Sequence, residues 1–318
     1  MMSVLVTGAS GFIGRNLLER LPKESTIALG RTKPKGLFQY KFVKSNIDGV
    51  TDYSDVLMGV RCIVHLAARV HVMKDCVDNP LESYRAVNTY GTANLARQAA
   101  NAGVKRFVFI SSIKVNGEST IYGRPYTPFD IRNPKDDYAL SKSEAELELL
   151  SISKETGMEV VIIRPTLVYG PNVKANFSSL MNLVSKGIPL PFGRITHNKR
   201  SLVFVDNLVD LIVSCLDHPN AVGQVFLVSD DCDISTSQMV GEMSEALGVS
   251  QWQIPIPILC YKLYGKLFKK SDVTDRLIGS LQVDISHTKD TLGWTPLRTL
   301  HEGMIETGNA FLESKKVT

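Results

Sequence analysis

The chain has no long hydrophobic run: nothing approaches the ~20 consecutive apolar residues that a membrane-crossing helix needs. Its N-terminus passes straight into a strand-like run, Val4-Leu5-Val6, with no basic segment, apolar core and cleavage site ahead of it. No secretory signal is expected, and the expected location is cytoplasmic. Cysteine is scarce and scattered. The five (Cys62, Cys76, Cys215, Cys232, Cys260) form no CxxC pair and no Cys/His metal spacing, which excludes a disulfide framework and a zinc module and suits buried thiols in a reducing compartment. There is no strong charge of one sign. The net charge of +4 is spread over 318 residues, and no basic stripe interleaved with aromatics appears, so no nucleic-acid partner is expected. Internal repeats and low-complexity tracts are absent.

What is present is alternation. Val4–Thr7 reads as a strand, and the next segment, 11–21, repeats Ile13, Leu17 and Leu21 at helical spacing before Pro22. Thr26–Leu29 reads as a second strand. Cys62–Leu66 and Phe107–Ile110 are continuous apolar runs, as in strands buried on both faces of a parallel sheet. A helix is predicted from about Leu81 to Ala102, ending at Gly103, and another from near Tyr138 to Gly157, with a strand at Val160–Ile163. This pattern predicts an α/β fold, a doubly wound parallel (Rossmann) sheet. After Arg164-Pro165, Pro/Gly-rich segments alternate with a strand-helix unit, Leu202–Leu216, and a strand, Val225–Val228. The expected organisation is a dinucleotide-binding domain over 1–170 to which 200–230 returns, with 171–199 and 231–318 forming a smaller substrate-binding lobe. The lysine-bearing stretch 261–270 has two readings, a membrane-surface helix or a solvated helix face. The solvated face is preferred because its lysines are few and unclustered.

Thr7-Gly8-Ala9-Ser10-Gly11-Phe12-Ile13-Gly14 lies at the first strand-helix junction. Gly8 suits the tight turn, Gly11 lets backbone approach a pyrophosphate, and Gly14 lets helix pack on strand. The helix N-terminus then offers free N–H groups to the phosphates. The second strand ends Gly30-Arg31 where an NAD site usually has an acid. Gly30 removes a charge that would repel a 2′-phosphate, Arg31 can grip one, and Lys33 and Lys35 follow. NADP(H) is therefore the expected cofactor, with NAD as the alternative. Tyr138 and Lys142 stand four apart on one helix face. Free tyrosine has a pKa near 10, and a cation within ~4–6 Å lowers such a value by about 1–3 units. Ser111-Ser112 would end a central strand at the carboxyl edge, where ligands bind in such sheets, so a serine hydroxyl could orient a substrate oxygen beside the phenol.

Taken together these segments resemble extended short-chain dehydrogenases/reductases of the nucleotide-sugar epimerase/dehydratase family, over nearly the whole chain. Further matching segments are HLAA at His65–Ala68, the stretch holding Asn88, SSIKVNG at Ser111–Gly117, RPTLVYGP at Arg164–Pro171, RSLVFVDNLVD at Arg200–Asp210 and LGWTP at Leu292–Pro296. The resemblance implies Ser112, Tyr138 and Lys142 as catalytic residues. It implies cofactor contacts from Gly8, Ser10, Gly11, Phe12, Ile13, Gly14, Arg31, Asn46, Ile47, Leu66, Ala67, Ala68, Asn88, Ser111, Tyr138, Lys142 and Pro165. It also implies that Ser112, Lys174, Asn176, Arg200 and Arg276 meet a UDP-sugar substrate, and that the protein is a homodimer. No metal site is implied.

Three departures refine the expected activity. Ile113-Lys114 stands where family dehydratases carry Asp-Glu, so elimination of water lacks its acid and base. Asn116 and Leu167 stand where 4-epimerases commonly show tyrosine and asparagine. The second strand lacks its acidic end. The expected reaction is NADPH-dependent reduction at C4 of a UDP-linked 4-keto hexose, such as UDP-4-keto-6-deoxy-N-acetylhexosamine to UDP-N-acetylquinovosamine in surface-polysaccharide synthesis. The alternatives are a UDP-hexose 4-epimerase with bound NAD and a non-catalytic NADP(H)-sensing protein.

Overall fold

The computed structural model describes residues 3–33, 36, 39–70, 79–121, 123–250, 252–268 and 271–316. Lys35 and Cys76 lie outside the described residues. Ten strands are described: β1 (Val4–Thr7), β2 (Thr26–Gly30), β3 (Lys41–Lys44), β4 (Cys62–His65), β5 (Arg106–Ile110), β6 (Glu159–Pro165), β7 (Leu167–Tyr169), β8 (Arg200–Phe204), β9 (Val225–Val228) and β10 (Asp233–Ile234). The helices are α1 (Phe12–Arg20), α2 (Ser54–Leu57), α3 (Pro80–Arg85), α4 (Thr92–Asn101), α5 (Asp137–Thr156), α6 (Ala175–Val184), α7 (Val205–Ser214), α8 (Thr236–Ala246), α9 (Ile258–Leu267), α10 (Ser271–Ile278), α11 (Ser286–Leu292) and α12 (Leu300–Lys316).

Seven strands form one sheet in the order β3-β2-β1-β4-β5-β6-β9, and every pairing in it is parallel. Along each buried run, alternate side chains enter opposite layers. Leu5, Ile63, Phe107, Phe109 and Ile162 pack with residues of α4 and α5. Val4, Val6, Val64, Val108 and Ile163 pack with α1, α7 and the smaller lobe. That is why the central strands read as uninterrupted hydrophobic text. The order reverses between β1 and β4, so the carboxyl ends of β1, β2, β4 and β5 open on one crevice, where such sheets bind ligands.

β7 lies inside the span 1–170 and β8 inside 200–230, yet both belong to a second sheet, β10-β8-β7, while β9 completes the large one. The chain thus crosses between the two parts repeatedly. A buried cluster fixes the junction. Tyr169 donates to Asp230 (2.8 Å), which also accepts from the Phe204 amide and Asn207, both at 2.7 Å, and Asn207 donates on to the Arg298 carbonyl (2.8 Å). Burial raises the Asp230 carboxyl to about 6 against these hydrogen bonds.

The predicted helix over 81–102 is not continuous. A π-helical segment, Ala86–Gly91, separates α3 from α4. Its cause is tertiary: Asn88 is held by both the Arg69 backbone and Ser141. At Gly91 any Cβ would come within 2.8 Å of Ile47. By contrast α5 starts and stops where its sequence says. Asp136 accepts the Ala139 amide (2.7 Å) as N-cap, and Gly157 adopts φ 75° at the C-terminus. Cys62 and Cys215 are buried, and burial pushes both thiols up to about 12. Cys232 and Cys260 are exposed, a departure from the expectation of buried thiols. Among the described residues no helix is long and apolar enough to cross a membrane.

Candidate active site

The β1–α1 turn is shaped by glycines that no other residue could replace in place. The Gly11 amide donates to the Gly8 carbonyl (2.9 Å), and Gly8 takes φ 67°. A Cβ on Gly8 would lie 2.7 Å from the Ala67 nitrogen, and one on Gly14 only 2.4 Å from the Gly8 carbonyl oxygen. The turn is thus pressed against Leu66-Ala67 on one side and α1 on the other. Gly11 is N-cap of α1 with no side-chain cap, and the helix has no acid in its first turn. Its amides and partial positive charge therefore face the crevice beside Ser10, Phe12 and Ile13. This is a cradle that a Cβ would fill, and it fits a dinucleotide pyrophosphate.

Behind the turn runs a polar chain that the sequence did not disclose. Thr7 accepts the Ala67 amide (3.2 Å), its hydroxyl meets Nδ1 of His65 (2.8 Å), and Nε2 of His65 meets Thr92 (3.0 Å). The network assigns the proton to Nε2 if Thr7 donates. His65 is fully buried, with its ring stacked on Phe109. Burial, with Lys142 nearby, lowers its pKa to about 3 and keeps it neutral. It ties β1, β4 and α4 together at the floor of the crevice.

Leu66, Ala67 and Ala68 follow β4 and are half-buried, and Pro165 is buried at the end of β6. Gly30 closes β2 with nothing within 4 Å of a Cβ position, and Arg31 after it is exposed. Asn46 is exposed with its carbonyl accepting from Tyr53 (2.9 Å), while Ile47 is packed inward. Two expected cofactor residues have their side chains occupied elsewhere. Asn88 clamps Arg69 and Ser141, and Ser111 donates to Glu146 (2.6 Å).

Ser112 and Tyr138 are brought together, Ser112 at the carboxyl end of β5 and Tyr138 in the first turn of α5, with the Ser112 hydroxyl close enough to favour the ionised phenol. Tyr84 meets the Tyr138 ring edge-on at 6.3 Å. Burial, then the Asp136 carboxylate, push the Tyr138 phenol up to about 12, and only the Ser112 hydroxyl draws it down. The expected pairing of Lys142 with this phenol is not the arrangement seen. Lys142 donates to the Ile110 carbonyl (2.8 Å) and sits 4.3 Å above the Phe109 ring. Burial lowers its pKa to about 7, opposed by the Glu146 carboxylate.

Glu146, one turn beyond Lys142, is itself fully buried. It accepts from Ser111, from Arg164 twice (2.9 and 2.6 Å) and from Arg132 (3.1 Å). Arg164 donates also to Asn116 (2.9 Å), whose amide donates to the Thr127 carbonyl. Asn116 is therefore locked in the wall. Lys114 bridges Asp136 (2.5 Å) and Glu118 (2.8 Å) close to the phenol. Glu146 and Tyr84 were missed because charge and aromaticity on a helix read as surface until the burial is known, and Arg132 because it reads as an ordinary loop cation.

In the smaller lobe Arg200 donates to the carbonyls of Arg276 (2.8 Å) and Gly279 (3.2 Å). Burial, and then Arg276, lower its pKa. Among the described residues neither guanidinium has a carboxylate partner, so the pair is an uncompensated cationic patch. Lys174 and Asn176 are exposed at the start of α6.

Residues 4–229 match the model of the NAD dependent epimerase/dehydratase family. A protein of Vibrio cholerae named UDP-glucose 4-epimerase is 58% identical, covering 98% of this chain and 96% of that one. Among solved structures, the UDP-glucuronic acid 4-epimerase of Bacillus cereus in complex with NAD aligns with TM-score 0.79 at 21% identity, over 98% of this chain and 99% of that one. The UDP-glucose 4-epimerase of Thermotoga maritima with UDP-glucose aligns with TM-score 0.78 at 19% identity, over 99% and 100%. These findings favour the epimerase alternative over the 4-ketoreductase expectation and give NADP no support.

Proposed function

The chain belongs to the NAD dependent epimerase/dehydratase family, and from that premise we propose that it inverts C4 of a UDP-linked hexose using NAD. The observation that carries this reading is the juxtaposition of Ser112 and Tyr138, one turn from Lys142 at the carboxyl edge of β5. The 58% identity to the Vibrio cholerae UDP-glucose 4-epimerase supports C4 as the reacting carbon.

In this reading the Gly8–Gly14 turn and the amides of α1 hold the pyrophosphate, with Leu66, Ala67, Ala68, Ile47, Asn46 and Pro165 around the rest of the dinucleotide. The chemistry the dinucleotide supplies when bound is reversible hydride exchange with C4. Tyr138, as its phenolate, would take the proton of the C4 hydroxyl as the C4–H leaves as hydride and C4 becomes the ketone carbon. After the keto sugar presents its other face, Tyr138 returns the proton to the new hydroxyl. Ser112 orients the sugar oxygen against the phenol. Lys142 is the cation that stabilises the phenolate once it turns from the Ile110 carbonyl. Arg200 and Arg276 hold the UDP diphosphate, with Lys174 and Asn176 beside it, so that binding energy remote from C4 keeps the sugar in register. Residues 1–170 with 200–230 carry the dinucleotide, and 171–199 with 231–318 carry the sugar nucleotide. A homodimer belongs to the same proposal.

A second reading, reduction of a 4-keto sugar by NADPH, keeps one observation in its favour: β2 ends in Gly30 and an exposed Arg31 where an NAD site usually has an acid. One experiment separates the two. Purified protein is incubated with UDP-glucose and UDP-N-acetylglucosamine without added nucleotide, and products are read by NMR. Epimerisation gives the galacto products with no net redox change. Failure on both sugars, together with stoichiometric NADPH oxidation by a UDP-4-keto sugar, replaces the first reading by the second.

A further inference from the structure

Between Gln251 and Lys270 the chain carries four lysines and no acidic residue, and it is rich in leucine, isoleucine and aromatics. The structure turns the middle of this stretch into α9, entered through Pro257. One line of the helix faces inward: Tyr261 is buried, and Gly265 approaches α10 so closely that a Cβ would fall 2.3 Å from the Thr274 hydroxyl. On the opposite line stand Leu259, Leu263 and Leu267, spaced four apart and 65%, 59% and 78% exposed. The rings of Tyr264 and Phe268, 4.6 Å apart, extend the same apolar face, with Phe268 56% exposed. Lys262 and Lys266 flank it and are exposed. The face is solvent-exposed, as the preferred reading of this stretch has it, but its outward pole is leucine and the lysines are confined to an edge.

We propose that α9 is a peripheral docking helix for an anionic phospholipid surface. The leucine line and Phe268 enter the headgroup/acyl boundary, while the lysines meet lipid phosphates. The charge pattern selects this occupant: the cores of protein-protein interfaces are depleted in lysine, whereas an acid-free, lysine-flanked apolar helix complements an anionic bilayer. With ten residues the helix is about 15 Å long, enough to lie in the interface and too short to cross. Because α9 packs on α10, which carries Arg276, docking would hold the cationic patch of the smaller lobe close to the membrane plane.

The test uses the full chain in co-sedimentation with vesicles of phosphatidylcholine alone and of phosphatidylcholine with one quarter phosphatidylglycerol. Binding to the anionic vesicles, weakened by salt, is expected. Leu263→Asp/Leu267→Asp should reduce it at least about tenfold. Lys262→Glu/Lys266→Glu should reduce it by at least about 25-fold, about fivefold for each lysine lost. All four positions are exposed, so turnover of a soluble sugar nucleotide and thermal stability should match wild type and report intact folding. No binding to either vesicle overturns the proposal, as does binding that the leucine variant leaves unchanged. A wild-type oligomer that the leucine variant dissociates, without vesicle binding, also overturns it and makes a second copy of the chain the occupant.

Discussion

Replacing Lys142 by methionine keeps the shape of a buried side chain and removes its charge. In the structure the Tyr138 phenol stands at about 12, so at pH 7 the phenolate fraction is on the order of 10⁻⁵. A cation turned toward it recovers about 1–3 units, raising that fraction roughly tenfold to a thousandfold. Lys142→Met should therefore lower kcat at pH 7 by about 10- to 1000-fold. The pH dependence has a definite sign. Lys142 titrates near 7, so its ammonium is present below that value and lost above it. The wild-type advantage should be largest at pH 6–7 and shrink at pH 9, where the variant's rate still climbs as its phenol ionises. Stability should change little: the Ile110 carbonyl loses one donor, about 1 kcal/mol, and a buried charge disappears. Steady-state rates from pH 6 to 9.5, beside a melting curve, measure both. A constant wild-type to variant ratio across that range, or more than a third of wild-type activity at pH 7, would refute the assignment of Lys142 as the activating cation.

Tyr138→Phe should lower kcat by about 10²–10⁴ or more while dinucleotide binding, measured by fluorescence titration, stays near wild type. Retained turnover would remove the phenol as proton carrier. Gly8→Ala forces a Cβ into the Ala67 amide at a positive φ and should destabilise the fold by about 2–4 kcal/mol in denaturant titration. An unperturbed midpoint would show that the turn has room. His65 has its pKa lowered to about 3 in the fold. Its contribution is therefore complete above pH 6.5 and lost as pH falls toward 3, at up to about 1.4 kcal/mol per pH unit. In His65→Asn the acid-side slope should be shallower than in wild type by that amount, and equal slopes would contradict the buried neutral imidazole.

How far the sequence discloses this molecule depends on whether the cause is local. The central strands and the ends of α5 are legible because burial on both faces, an Asp cap and a terminal glycine each write themselves into adjacent residues. β3 escapes because Lys41-Phe42-Val43-Lys44 is a short edge strand with both ends exposed. The π-helical break at Ala86–Gly91 escapes because its causes, Ile47, Arg69 and Ser141, lie elsewhere in the chain. At the site, the motif spacing pairs Ser112 with Tyr138, and the fold sets the two side chains near one another. It does not reveal that Lys142 rests on the Ile110 carbonyl or that Glu146 and Arg164 form a buried pair behind it. Glutamate and lysine four apart on a helix ordinarily signal an exposed face, and here both are buried. The cofactor expectation drawn from Gly30, Arg31 and the lysines after them rests on one strand end, a narrower base than whole-chain similarity.

The seventh strand of the large sheet bears on how the chain matures. β6 finishes at Pro165, but its outer neighbour β9 begins only at Val225, about sixty residues later. At roughly 5–20 residues per second of translation, the edge of β6 waits for several seconds after leaving the ribosome. During that interval Ile162–Pro165 offers an unpaired backbone edge to any nascent neighbour. Fragments ending before Val225 should aggregate, and chaperone demand should fall sharply once β9 has emerged.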